Sequence, residues 1–264
     1  MHDISTEPVS FQGSQGTLLD ARLDHPTQTP LAYALFAHCF TCSKDYFAAS
    51  RISRELARRG IAVLRFDFTG LGSSDGDFAN TNFSSNITDL SLAADYLRNN
   101  YQAPKILIGH SLGGAAVIAV RREVPEAVAV ATIAAPSDPE HIMVHFADAI
   151  TKIESQGEFK INVAGRPFRI QKQFLDDIAV HRMRAVIQHL DAALLVFHSQ
   201  ADKVIGIEHA RRIFVYARHP KSFVVLDNAD HLLTNRADAE YVANILSAWA
   251  VRYLAAKAGV SGGP

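Results

Sequence analysis

Polar and apolar positions along this chain change period repeatedly, and each change predicts an element. Val9-Ser10-Phe11 and Thr17 to Leu23 alternate on either side of Gly13 and Gly16, which predicts a hairpin at a sheet edge. Leu31 to Ala37 is almost continuously apolar, as suits a strand covered on both faces. Asp45 to Arg59 then sets Ala49, Ile52 and Leu56 on one helical face and stops at Gly60. Ile61 to Phe66 reads as strand, Phe68 to Phe83 as a glycine- and serine-rich loop, and Ser84 to Asn100 as helix. Strand Ile106 to Ile108, helix Gly114 to Arg122 and strand Ala127 to Ala134 follow. Strand, helix and strand return at Ala192 to Phe197, Glu208 to Ala217 and Ser222 to Leu226. A last helix aligns Tyr241, Ile245, Trp249 and Tyr253, with Val242, Leu246 and Leu254 beside them. Strands separated by helices predict a mostly parallel sheet with helices on both faces.

Pro136 to Leu190 breaks the rhythm. It reads as helix, hairpin (Phe159 to Val163, Phe168 to Ile170) and helix. An insertion between two core strands would lie over their carboxyl ends, where ligands bind in open α/β sheets. The expected organisation is therefore a core of residues 1–135 and 191–258, a small cap of 136–190 and a flexible tail of 259–264. A peripheral surface excursion is the competing reading of the insertion.

Composition narrows the classes. The 264 residues suit one α/β domain with a large core, and 26 basic against 27 acidic residues create no field for nucleic acid or an anionic membrane. No apolar run approaches the ~20 residues that span a bilayer. Met1 to Pro8 lacks a basic segment followed by an apolar one, so no secretory signal is read and a cytoplasmic location is expected.

The chemistry centres on Gly109-His110-Ser111-Leu112-Gly113, between a strand and a helix. A serine held in a strained turn projects its oxygen clear of the sheet, and the residues two before and two after it must be nearly side-chain-free. That is the signature of a nucleophile elbow. Such a serine needs a base, and the base needs a carboxylate to fix its tautomer. Asp202 follows one downstream strand and His231 follows another, on the same sheet edge as Ser111 and in the order serine, acid, histidine. The oxyanion donors expected are the amides of Leu112 and Phe40, with Cys39 and Thr41 as rivals of Phe40. Met143, Phe146 and Phe174 are available to line the cap and favour short or medium acyl chains.

Other polar residues rank lower. His110 reads as a supporting group, His198 as a core or supporting residue, Asp230 as facing away, and Asp67 as organising Thr69 to Asp75. His141 and His145, four apart, lack a third metal ligand. No metal or cofactor is expected.

On these residues the chain resembles an α/β-hydrolase, and Asp67-Phe68-Thr69-Gly70-Leu71-Gly72-Ser73-Ser74 resembles the D-x-x-G-x-G-x-S segment of such enzymes. His38 to Asp45 and Asn80 to Asn86 resemble a bacterial subgroup often fused to a domain like osmotically inducible protein C. The resemblance implies an α/β-hydrolase fold and carboxylic-ester hydrolysis of a small-molecule substrate, by either a stand-alone relative or a separated hydrolase domain that associates with such a domain, which would begin where this sequence stops. Cys39 and Cys42 stand where many members carry glycine. They read as small buried thiols or as a redox-responsive pair. A serine peptidase or amidase, a non-catalytic binding protein and a thiol-redox accessory are the alternatives.

Overall fold

The computed structural model describes residues 2–163 and 165–256. Eight strands form one sheet in the order β1-β2-β4-β3-β5-β6-β9-β10. The antiparallel hairpin β1 (Ile4–Gln12) and β2 (Leu18–Pro26) forms one edge, and β2 joins β4 (Ile61–Phe66) antiparallel. β3 (Ala32–Ala37), β4, β5 (Ile106–His110), β6 (Ala129–Ile133), β9 (Ala193–Ser199) and β10 (Lys221–Leu226) run parallel. All residues of β3 to β6 and β9 are buried, which explains their unbroken apolar runs.

Alternate strand residues feed two cores. Leu35, Leu64 and Leu107 pack against α2 (Phe83–Asn100), α3 (Leu112–Val120) and α7 (Ile207–Tyr216). Phe36, Val63 and Ile108 pack against α1 (Phe47–Ala57) and α8 (Arg236–Ala256). Local signals set the helix ends: Gly60 follows α1 at φ 88°, and Asn82 caps α2 in a reciprocal box with Ser85. The buried stripe of α8 is Ala239, Val242, Ala243, Leu246 and Ala250. Ile245, Trp249 and Tyr253 flank it and Tyr241 is exposed, so the face is rotated from the aromatic row that the sequence predicts. Small residues win there because α8 lies close against the sheet.

Between β6 and β9 the chain runs through a 3₁₀ segment (Pro139–Phe146), α4 (Ala147–Gln156), the hairpin β7 (Glu158–Val163) and β8 (Arg166–Gln171), α5 (Lys172–Val180) and α6 (Met183–Gln188). This insertion rests on the loop before α2. Arg169 pairs with Asp77 at 2.9 Å, the Phe168 and Phe78 rings meet edge to face, and Asn82 Nδ2 donates to Gln173 Oε1. The predicted tail at 259–264 lies outside the described residues. Among those described, no helix is long and apolar enough to cross a membrane.

Candidate active site

The chain leaves β3 toward β4 on one side and returns to β5 on the other, so a crevice opens at the carboxyl ends of β3 and β5. Ser111 sits there, between β5 and α3, at φ 53° and ψ −125°. That left-handed φ is costly for a residue with a side chain and is held by close packing. A Cβ on Gly109 would lie 2.2 Å from the Gly113 carbonyl oxygen, and one on Gly113 would meet the carbonyl oxygens of Ala37 and His38. Both glycines are therefore required by contact with backbone.

Asp202 and His231 come to Ser111 from the loops after β9 and β10. His231 Nε2 lies 3.0 Å from Ser111 Oγ, and His231 Nδ1 lies 2.8 Å from Asp202 Oδ2. An ionised carboxylate only accepts, so Nδ1 carries the proton and Nε2 is free to accept from the serine hydroxyl. Asp202 Oδ1 accepts from the amides of Val204 and Ile205. Burial would raise the Asp202 carboxyl, but the hydrogen bonds from His231 and these amides outweigh it and hold the group below the usual carboxylate range.

Two further histidines brace the assembly. His110 Nε2 donates to the His231 carbonyl at 2.7 Å, and burial pushes His110 down to about 3. His198 Nε2 donates to the Ile205 carbonyl at 2.8 Å, and burial lowers that group as well. Both thus stay neutral donors near neutral pH. Asp230 turns to Thr234, accepting from its amide and hydroxyl.

The loop after β3 carries a disulfide between Cys39 and Cys42, with Cα atoms 5.3 Å apart, where the sequence left free thiols as one reading. Cys42 N donates to the Cys39 carbonyl, and Thr41 takes φ 62°. Neither the Phe40 nor the Leu112 amide donates to a partner among the described residues, so both are free for a ligand. Below the loop lies a charge cluster that the sequence reading missed. Lys44 N donates to Asp67 Oδ1, and Lys44 Nζ reaches Asp67 at 2.9 Å and Asp20 at 2.6 Å. Arg65 bridges Asp24, Asp45 and the Lys44 carbonyl. Asp67 also accepts from Ser73 N, so it ties the glycine-rich loop to the loop after β3. The sequence reading had Asp67 organising Thr69 to Asp75, but not its pairing with Lys44.

A cleft of about 400 Å³ opens over Ser111 and His231, walled by Tyr46, Ile142, Val163, Arg166, Val204 and Leu232. The sequence placed Met143, Phe146 and Phe174 on this wall, which needs correction. Ile142 takes the place of Met143, while Phe146 and Phe174 are buried behind the Phe40 ring, 6.5 and 5.6 Å from its centre. The His141 and His209 rings meet at a tilt of 59° with centres 4.3 Å apart, and no group of three metal-binding side chains occurs among the described residues. A larger concavity, about 680 Å³, lies between α1 and α8. Arg51 and Arg236 there pair with Glu240, Arg58 and Arg59 pair with Glu55, and the concavity contains no part of the Ser111 assembly.

The sheet order and the elbow, with Asp202 and His231 brought to Ser111 in the chain order serine, acid, histidine, define a class. Residues 34–259 match the Alpha/beta hydrolase family, and the chain belongs to it. It is similar over 96% of its length to the esterase domain of a Rhodothermus marinus protein, at 48% identity and a TM-score of 0.76, covering 99% of that chain. Est1E from Butyrivibrio proteoclasticus, in its ferulic acid complex, shares the fold at 19% identity and a TM-score of 0.76, with 94% of this chain and 100% of that one covered. The palmitoyl-protein thioesterase ABHD10, mitochondrial, of Rattus norvegicus is 26% identical over 188 residues. That match takes in 68% of this chain and 62% of the relative.

Proposed function

We propose that this protein is a serine carboxylic-ester hydrolase acting on small esters of short or medium acyl chain. The observation that carries the reading is the unbroken hydrogen-bond line from Ser111 Oγ through His231 to Asp202, buried except where the cleft reaches the hydroxyl. Ser111 Oγ attacks the ester carbonyl as His231 Nε2 takes its proton. The carbonyl oxygen becomes an oxyanion, which the Phe40 and Leu112 amides receive. Collapse breaks the bond to the alcohol, which leaves with the proton from His231, and an acyl-serine remains. Water then attacks, His231 takes its proton, and the acid departs from a regenerated serine. Asp202 stabilises the imidazolium in both halves without being protonated.

Similarity to the Rhodothermus marinus esterase domain supports the ester reading. The thioesterase named among the relatives favours thioesters as a second substrate class for the same machinery.

Hydrolysis of 4-nitrophenyl esters from acetate to dodecanoate, with wild type beside Ser111→Ala, tests the assignment. Turnover should peak at short to medium chains and fall about four to six orders of magnitude in the variant. Turnover that survives in Ser111→Ala would reject it.

A further inference from the structure

The cleft wall is apolar or neutral apart from the base and one other residue, Arg166. Val163 and Arg166 are the last register pair of the β7–β8 hairpin, and both line the cleft that holds Ser111. The neighbouring arginine on the same strand is fully engaged: Arg169 reaches Asp77 at 2.9 Å and Glu158 at 3.4 Å. Arg166 has no carboxylate within ion-pair distance among the described residues. Its guanidinium carbon instead stands 5.5 Å from the centre of the Phe168 ring, and Phe168 is itself wedged against Phe78. The ring supports the cation without neutralising it.

The surroundings give that free charge a direction. The chain as a whole carries a formal net charge of −1, so an unpaired cation in the cleft of the nucleophile is not a by-product of a basic surface. No acidic side chain lines the cleft to repel an anion. The nearest catalytic carboxylate, Asp202, spends its oxygens on His231 and the Val204 and Ile205 amides. A guanidinium offers paired N–H donors in the geometry of a carboxylate.

We infer that Arg166 is a specificity-determining residue, and that the substrates of the Ser111 site are esters or thioesters bearing a carboxylate away from the scissile carbonyl. This rests on the hydrolase reading above and names its substrate class. The carboxylate can belong to the acyl portion or to the alcohol portion, and both present the same anion to the hairpin.

Two pairs of probes separate those sources. In the acyl pair, 4-nitrophenyl monoadipate is compared with 4-nitrophenyl heptanoate. In the alcohol pair, 4-(butyryloxy)benzoate is compared with its methyl ester. The kcat and KM of each are measured for wild type, Arg166→Gln and Arg166→Lys. In one pair the wild type should favour the anionic member by about tenfold in kcat/KM, carried by KM, as expected for one charged hydrogen-bonded contact near the surface. Arg166→Gln should erase that ratio and Arg166→Lys should restore part of it. A ratio equal in wild type and Arg166→Gln, or a wild-type preference for the neutral member in both pairs, overturns the inference. Ser111-dependent turnover of the neutral esters would then leave the hydrolase reading standing, whereas absence of turnover on all four probes overturns both.

Discussion

Gly113→Ala probes the dependence of the oxyanion loop on the elbow. A Cβ at this position would lie 2.4 Å from the Ala37 carbonyl oxygen and 2.5 Å from that of His38. Both atoms are main chain at the end of β3, so neither can swing aside. Relaxing to ordinary contact at 3.4 Å requires α3 and the end of β3 to part by about 1 Å. Overpacking of this kind costs about 1–3 kcal/mol, which a domain stable by about 5–15 kcal/mol survives. The rate is more sensitive. Ser111 and Leu112 move with α3 while Phe40 moves with β3, and a misplacement of about 1 Å is worth about 10²-fold. The assay is kcat and KM for 4-nitrophenyl butyrate beside a thermal melt. We expect kcat/KM to fall about 10²-fold, mostly in kcat, with the melting temperature lower by a few degrees. Activity within threefold of wild type, with an unchanged melt, would refute the claim that this contact sets the loop.

The remaining predictions concern the acid, the disulfide and pH. Asp202→Asn should lower kcat by about 10⁴, because the amide stabilises the wrong tautomer of His231; a loss under tenfold would show that Asp202 does not orient the base. Opening the Cys39–Cys42 bond by a Cys39→Ser/Cys42→Ser double change should cost about 2 kcal/mol in the chain-entropy account of so short a loop, and several-fold in kcat as Phe40 loosens. Equal ester turnover with the bond formed and opened would show that the bridge does not tune the loop. His110 titrates at about 3 in the folded protein against 6.5 for the free side chain, so the unfolded chain binds the proton first as pH falls. Stability is then complete above pH 6.5 and declines by about 1.4 kcal/mol per pH unit down to about pH 3 from this group. His110→Gln, which keeps an N–H near the His231 carbonyl but cannot titrate, should flatten that decline in urea unfolding from pH 7 to pH 4, and an unaltered slope would contradict it.

What the sequence made legible was local. The strand-to-helix context of Gly109 to Gly113 is written in adjacent residues, and the loops bearing Asp202 and His231 each follow an apolar strand by a few positions. Lys44 with Asp67 was not legible, because 23 residues separate two groups that only the β3–β4 pairing and the following loops bring together. The cleft wall failed for a different reason. Met143 was picked for being apolar within the insertion, and apolarity alone does not say which residue of the 3₁₀ segment Pro139–Phe146 faces the cleft; Ile142 does. Phe146 and Phe174 were expected to line the substrate site, but both are buried against the Phe40 ring and do not line the cleft. Arg166 gave no signal, since a charged residue in a hairpin turn reads as an ordinary solvated one.

The buried pairing of Lys44 and Arg65 with Asp24 and Asp67 has a consequence for how the enzyme meets its medium. Mobile ions screen charges in solvent within about 8 Å at physiological ionic strength, but they do not enter a packed interior. The support under the loop after β3 is thus insulated from salt, whereas the Arg166 guanidinium faces solvent. Raising ionic strength should leave turnover of a neutral ester nearly constant while it weakens any attraction exerted from the hairpin. One protein then holds its reacting geometry and its choice of substrate under separate controls, and only the second responds to the solution around it.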